Sequence, residues 1–322
     1  MLKNKWLLFV SCLLVPVAVV AKDNQDVSHW LQKMHHAAHM LNYVGKFVYQ
    51  QDTQLSLMQI IHAVSEHGER ERLISLDQVG REVIRDANGV TCILPDRNSI
   101  VVDKARPQSQ FPPKFPVDIE HLKGQYHFKL DKQERVAGQL AQKIVIDPVD
   151  QYRYGHRLWV DVDTGLLLKT YLVDERGRLL EQFMFTEIEF MDQIEESMLV
   201  PQTKGTNYTW YESKEDEQSK PVVVKHNWSV SQLPRGFMRD MQRQHNMPNK
   251  QVVKHLVYTD GLASVSIFIE TPEQESPNPI GASRMGAVNA YGRVVDKHHV
   301  TAVGEVPHVT VKMISESVTY KH

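Results

Sequence analysis

Cysteine is nearly absent: the chain has 322 residues and 2 cysteines, Cys12 and Cys92. If Cys12 leaves with an N-terminal leader, no intrachain disulfide can form and a cysteine-rich metal site is excluded. A surplus of either charge is also lacking. Lys and Arg number 37 against 39 Asp and Glu, a formal net charge of −2, whereas a general nucleic-acid binder shows a clear basic excess. After the N-terminal stretch no apolar run reaches the roughly 20 residues that a membrane span needs. Phosphate loop, dinucleotide fingerprint and Gly-x-Ser-x-Gly elbow are all missing, as are internal repeats and low-complexity tracts. What is present, 42% hydrophobic and 24% charged residues, belongs to an ordinary globular chain. At roughly 150 residues per domain, the length suggests two domains, each able to bury a core.

The N-terminus fixes the compartment. Lys3 and Lys5 precede an apolar run from Trp6 to Val20, and Val19 and Ala21 stand at −3 and −1 of a cleavage point. This is the layout of a secretory signal peptide over residues 1–21, cut after Ala21. The mature chain loses two lysines, giving 35 − 39 = −4. With no disulfide framework, a bacterial periplasmic protein is the natural reading.

A helix is expected first, because Val27, Trp30, Leu31, Met34, Ala38 and Leu41 recur at three- and four-residue spacing. Short strand-like runs follow: Gly45–Gln51, Leu55–Ser65, Arg70–Leu76, Val83–Arg85, Val90–Leu94, Ser99–Val102, Tyr126–Leu130 and Leu140–Ile146. The clearest set is Tyr152–Val162, Leu166–Val173 and Leu179–Phe190, separated by Asp163-Thr164-Gly165 and Asp174-Glu175-Arg176-Gly177 as hairpin turns. About ten strands at such spacing predict one large curved antiparallel sheet. Residues 193–221 then turn polar and acidic, which reads as a linker. Beyond it, Val252–Tyr258 and Ala263–Glu270 flank Asp260-Gly261 as a hairpin. Tyr291–Val295 and Val300–Val303 add strands. Pro307 opens a helix with Val309, Met313, Ile314 and Val318 on one stripe. The fold class expected is α+β: an unclosed barrel with helices over residues 22–200, a linker over 201–222 and a small α+β domain over 223–322.

The search for chemistry yields no catalytic constellation. His35 and His39 are four apart on the helix, a spacing able to ligate a metal, but a solvated helix flank is the better reading. His298-His299 reads as a surface pair, Ser283 as part of a turn, Asp161 and Asp163 as hairpin residues, and Cys92 as a small buried hydrophobe. No catalytic residue, cofactor or metal site is assigned. The strands carry more apolar residues than one buried face demands, so Phe47, Met58, Ile60, Met184 and Phe185 are candidates to line a cavity for an apolar ligand.

Several stretches together resemble the RseB/MucB family of periplasmic regulators of the sigma-E envelope-stress response. They are Leu41-Asn42-Tyr43, Gly80-Arg81-Glu82-Val83-Ile84-Arg85, Leu158-Trp159-Val160-Asp161 running on to Leu168, and Leu180-Glu181-Gln182-Phe183. Leu233-Pro234-Arg235-Gly236-Phe237, Asn246-Met247-Pro248, Tyr258-Thr259-Asp260-Gly261-Leu262 and Val303-Gly304-Glu305-Val306-Pro307 complete the set. Each alone is a turn or a strand; their order over nearly the whole mature chain carries the resemblance. It implies a large domain shaped like the lipoprotein carriers, an unclosed barrel around helices, and a small C-terminal domain. It further implies binding to the periplasmic segment of a single-span anti-sigma factor, protection of that segment from the first regulatory protease, and release by lipopolysaccharide or another lipid. No catalytic residue follows from it, and it leaves room for a homo-oligomer. The competing readings are a periplasmic lipid or lipoprotein carrier using the same sheet and a hydrolase or metal enzyme built on the histidines. The extra C-terminal domain favours the regulator.

Overall fold

The computed structural model describes residues 18–66, 68–77, 80–103, 115–116, 119–203, 207–213, 227–246, 252–271 and 280–321. Most of the expected signal peptide lies outside them. Among the described residues no helix is long and apolar enough to cross a membrane. Helix α1 (Ala18–Met40) buries Val27, Leu31, Met34 and Ala37. These share one side of a 3.6-residue helix, while Trp30 and Ala38 are half-buried on its flanks and Leu41, also half-buried, lies just past its end.

The large sheet is two meanders joined in the middle. The first runs β1 (Asn42–Gln51), β2 (Gln54–Ser65), β3 (Gly68–Ser75), β4 (Glu82–Asp86), β5 (Gly89–Leu94) and β6 (Ser99–Asp103). The second runs β7 (Tyr126–Val136), β8 (Gln139–Pro148), β9 (Gly155–Asp161), β10 (Leu167–Val173) and β11 (Leu179–Met191). β1 pairs with β11, and β12 (Thr209–Ser213) lies parallel to β6, which gives the order β12-β6-β5-β4-β3-β2-β1-β11-β10-β9-β8-β7. The sheet does not close, and every neighbouring pair except β12–β6 is antiparallel.

Period-2 alternation places Tyr43, Gly45 and Phe47 on the inner face of β1. Gly45 has a reason to be glycine: a Cβ there would sit 2.5 Å from the ring of Phe185. The β9–β10 turn folds around Asp161, whose carboxylate accepts from the Thr164 amide and hydroxyl, both at 2.7 Å. Gly165 completes it at φ +85°, pressed against the backbone of Lys33 in α1. α1 thereby covers the inner face, packing with Phe128, Ile144, Ile146, Leu158 and Val160.

After β11 the chain crosses the outer face as a strap. Ile194, Met198 and Leu199, the latter two in the one-turn helix α2 (Glu196–Leu199), pack on Val44, Ile61, Ala63 and Ile74. Arg72, buried, donates to Glu82 and to the Met198 carbonyl, each at 2.8 Å. The Glu82 carboxylate accepts from the Thr203 amide at 3.0 Å.

The second unit holds a six-stranded antiparallel sheet and a two-stranded ribbon. The ribbon pairs β13 (Trp228–Val230) with β20 (Val318–Tyr320). The sheet runs β14-β15-β16-β19-β18-β17, from β14 (Met238–Asn246), β15 (Val252–Thr259), β16 (Ser264–Glu270), β17 (Gly281–Met285), β18 (Val288–Val295) and β19 (His298–Gly304). Helix α3 (His308–Ser317) follows Pro307 and buries Val311 and Ile314 against Leu256, Val265, Ile267, Val300 and Ala302.

Four sequence expectations change. Part of the expected linker 201–222 is structured: Gln202 and Thr203 are bonded to Glu82 and Thr209–Ser213 form β12, while 204–206 and 214–222 lie outside the described residues. Ser283 is in edge strand β17, and the turn comes at Gly286, φ +59°. The face that α3 buries is Thr310, Val311, Ile314 and Ser315, and Val309 is exposed. Cys92 is half-buried in β5, on the same face as Val90 and opposite Val83.

Candidate functional site: the joint between the two sheets

Three tight turns at one end of the second sheet press against the first unit. Gly236, Gly261 and Gly286 all have positive φ, and a Cβ on them would stand 2.5 Å from Gln125, 2.7 Å from His121 and 2.6 Å from Gln51. Two of these turns belong to the stretches that carry the family resemblance, Leu233–Phe237 and Tyr258–Leu262.

Arg153 is the centre of this joint. It is fully buried just before β9 and lies over the rings of Tyr126, 5.6 Å, and Phe237, 5.0 Å. Its guanidinium donates to Asp260 at 2.5 Å, to Asp150, and across the joint to the Arg235 carbonyl. A planar fork that bonds three acceptors while stacking on aromatics suits arginine and not lysine. Asp260 works in two directions. One oxygen closes its own turn through the amides of Leu262, 2.9 Å, and Ala263, 2.8 Å. The other accepts from Arg153 and from the Tyr126 hydroxyl at 3.1 Å. Burial, and then the Asp260 charge, hold the Tyr126 phenol above its ordinary pKa, so it stays protonated and donates. Thr310 of α3 donates to the Tyr152 carbonyl at 2.8 Å, and Asn289 of β18 bonds the Tyr154 hydroxyl at 2.9 Å and the Val306 carbonyl at 2.8 Å.

Beside the joint the inner face opens into a pocket of about 100 Å³. Thr170, Leu172 and Phe183 come from β10 and β11, His156 from β9 and Tyr49 from β1; Phe115 closes one side. The mouth carries two carboxylates, Glu181 of β11 and Glu305 from the turn between β19 and α3. Tyr49 donates to one oxygen of Glu181 at 2.9 Å and Gln51 to the other at 2.8 Å. Glu305 is exposed as a residue, yet the partial burial of its carboxyl beside the pocket, and then the Glu181 charge, push its pKa up to about 7. Burial, then the nearby Arg157 charge, lowers His156 to about 4, and its ring meets Phe115 edge-on at 5.4 Å.

His156 carries a pH prediction. Its ordinary pKa is 6.5 and its folded value lower, so between these the unfolded chain takes up a proton that the folded chain refuses. The resulting penalty is absent above pH 6.5 and grows as the pH falls toward 4. His156→Gln is expected to lose less stability than the parent between pH 7.5 and pH 5 in urea titrations. Equal losses in both proteins would show that His156 titrates as an exposed histidine.

The five residues expected to line a cavity do not come together around an opening. Phe47, Ile60 and Phe185 are buried on the inner face in an aromatic cluster, with Phe47 5.1 Å and Phe185 5.0 Å from Phe183. Met58 opposes Phe47 on the same face and is half-buried. Met184 is one residue from Phe185 and therefore on the outer face, opposite Val48. The surplus apolar residues of β2 have another cause, since Ile61 and Ala63 lie beneath the strap. The rings of His35 and His39 lie 4.7 Å apart, tilted by 55°, and His39 is bound to Glu69 of β3. His298 packs edge-on to Trp228. Arg153, Tyr126 and Asn289 escaped notice because nothing in their neighbours along the chain separates them from ordinary strand and turn residues.

Fold and joint together define a class: a two-part α+β protein in which an open sheet, plugged by a helix, is met end-on by a smaller sheet. Models of the MucB/RseB N-terminal domain and the MucB/RseB C-terminal domain match residues 26–203 and 223–319, and the chain belongs to the MucB/RseB family. It is 32% identical over 308 residues to the sigma factor AlgU regulatory protein MucB of Pseudomonas aeruginosa, covering 94% of this chain and 93% of that one. It is 26% identical to the sigma-E factor regulatory protein RseB of Haemophilus influenzae, covering 97% of each. Among solved structures it is similar to MucB in complex with MucA(peri), at TM-score 0.70 and 30% identity over 92% of this chain and 99% of that one. MucB alone gives a TM-score of 0.62 at 30% identity, over 92% and 98%. The family is one of regulatory proteins, not enzymes.

Proposed function

We propose that the protein is a periplasmic negative regulator of the sigma-E response. It binds the periplasmic segment of a membrane-spanning anti-sigma factor, protects that segment from regulated proteolysis and releases it when lipopolysaccharide or a related lipid binds. The observation that carries this reading is the likeness, through both sheets, to MucB solved with MucA(peri). The joint supports it, because a ligand on one unit can act on a partner held by the other only through a physical connection between them.

A ligand shifts such an equilibrium only through different affinities for the two states, and the coupling is reciprocal. In titrations of the full chain with an anti-sigma periplasmic peptide, lipopolysaccharide is expected to weaken the peptide by the same factor as the peptide weakens lipopolysaccharide. Tight peptide binding untouched by lipopolysaccharide would leave a protector without that signal. No peptide binding at all would remove the reading.

A further inference from the structure

The pocket beside the joint carries a charge imbalance. Its floor is apolar and aromatic, Phe115, Leu172 and Phe183, while Glu181 and Glu305 face each other at its mouth. Among the described residues no lysine or arginine lines it. Both oxygens of Glu181 are already bonded, but to the neutral donors Tyr49 and Gln51, which leave its charge in place. Among the described residues, Arg157, whose charge acts on His156, is paired with Asp147 at 2.6 Å, and Arg284, whose charge acts on Tyr154, donates to the Gly286 carbonyl at 2.7 Å. His156 is held neutral and supplies no positive charge. Two like charges brought together from different units oppose docking unless a counter-charge lies between them.

We propose that this pocket binds a small organic cation with an apolar tail, an alkylammonium group, with its carbons on Phe115, Leu172 and Phe183 and its charge between Glu181 and Glu305. The size fits. A cavity of about 150 Å³ accepts a benzene ring, so about 100 Å³ takes a chain of a few carbons. The charge discriminates, since a carboxylate or phosphate at this mouth meets two carboxylates. Glu305 comes from the second unit and the remaining lining from the first, so an occupied pocket also ties the two units together. This site stands independently of the regulatory reading.

The test uses the full chain and three probes of equal length: n-hexylammonium, hexanol and hexanoate, each titrated by calorimetry. Hexylammonium is expected to bind in a saturable manner, about tenfold or more tighter than hexanol, with hexanoate weakest. Glu305→Gln should remove about tenfold of that affinity. It should also abolish a decline of roughly threefold or more between pH 8 and pH 6, where Glu305 takes up its proton. Thr170→Trp, which fills the pocket from its wall, should eliminate binding. Thermal midpoints and circular dichroism report whether each variant is folded. Equal affinity for hexanol, an unchanged Glu305→Gln variant, or no saturable binding of hexylammonium would each overturn the proposal.

Discussion

Asp260→Ala is expected to cost about 3–5 kcal/mol, since removing one member of a buried ion pair leaves the other charge without its partner. Arg153 would keep Asp150 and the Arg235 carbonyl but lose its most buried acceptor. Tyr126 would lose its bond, and the turn would lose the carboxylate that holds the Leu262 and Ala263 amides. Attraction within the pair is offset by the desolvation of both ions, so Arg153→Met with Asp260→Leu should recover the part of the loss that comes from the unpaired Arg153 charge, and not the part from the Tyr126 and turn-amide bonds. Urea unfolding followed by circular dichroism and tryptophan fluorescence measures both. A single variant within about 1 kcal/mol of the parent, the scale of an exposed pair, would mean that the joint is held by other contacts.

Trp159→Ala belongs to the same range, about 3–5 kcal/mol, for a different reason. Trp159 is 3% exposed, opposite Lys169 on the outer face, while its neighbours Leu158 and Val160 pack under α1. Strand β9 is thus buried on both faces, where the sequence predicts one. Three interactions would go at once. The indole donates to Glu134 at 2.9 Å, but Glu134 is exposed and regains water, so that bond contributes about 1 kcal/mol. Lys169 lies 4.2 Å from the ring, which adds about another 1 kcal/mol at most in a solvated setting. The cavity dominates. Trp159→Phe, which keeps a ring under the lysine stems, should therefore cost clearly less than Trp159→Ala. An equal loss in both would shift the weight to the hydrogen bond.

Local patterns made the frame of this fold legible. The β9–β10 and β10–β11 hairpins follow from Asp-Thr-Gly and Asp-Glu-Arg-Gly, and in both an aspartate side chain closes the turn on backbone amides, Asp161 just ahead of the first motif and Asp174 within the second. Strands with little apolar pattern stayed hidden. β14 reads Met-Arg-Asp-Met-Gln-Arg-Gln-His-Asn, and β12 lies in a polar stretch with Trp210 and Tyr211 exposed. Both are edge strands, held by a neighbour's backbone on one side only, so their side chains need not record a face. The joint was legible only in part. Asp260-Gly261 announces a hairpin, but that one carboxylate oxygen reaches Arg153, 107 residues away, is a fact of tertiary structure. The resemblance stretches pointed to the same place without saying why, and the reason is that several of them meet there.

The strap and β12 together set how far the second unit can travel. β12 fastens the chain at the β6 edge, and residues 214–227 lead from there to β13. Fully stretched, those 14 residues cover at most about 50 Å. Were the joint to open, the second unit would therefore stay leashed, at an effective concentration in the millimolar range for a short connector. Re-closure is then first-order and indifferent to dilution. A ligand that pried the joint apart would compete against a unit that never leaves, and the protein would reset once the ligand was gone.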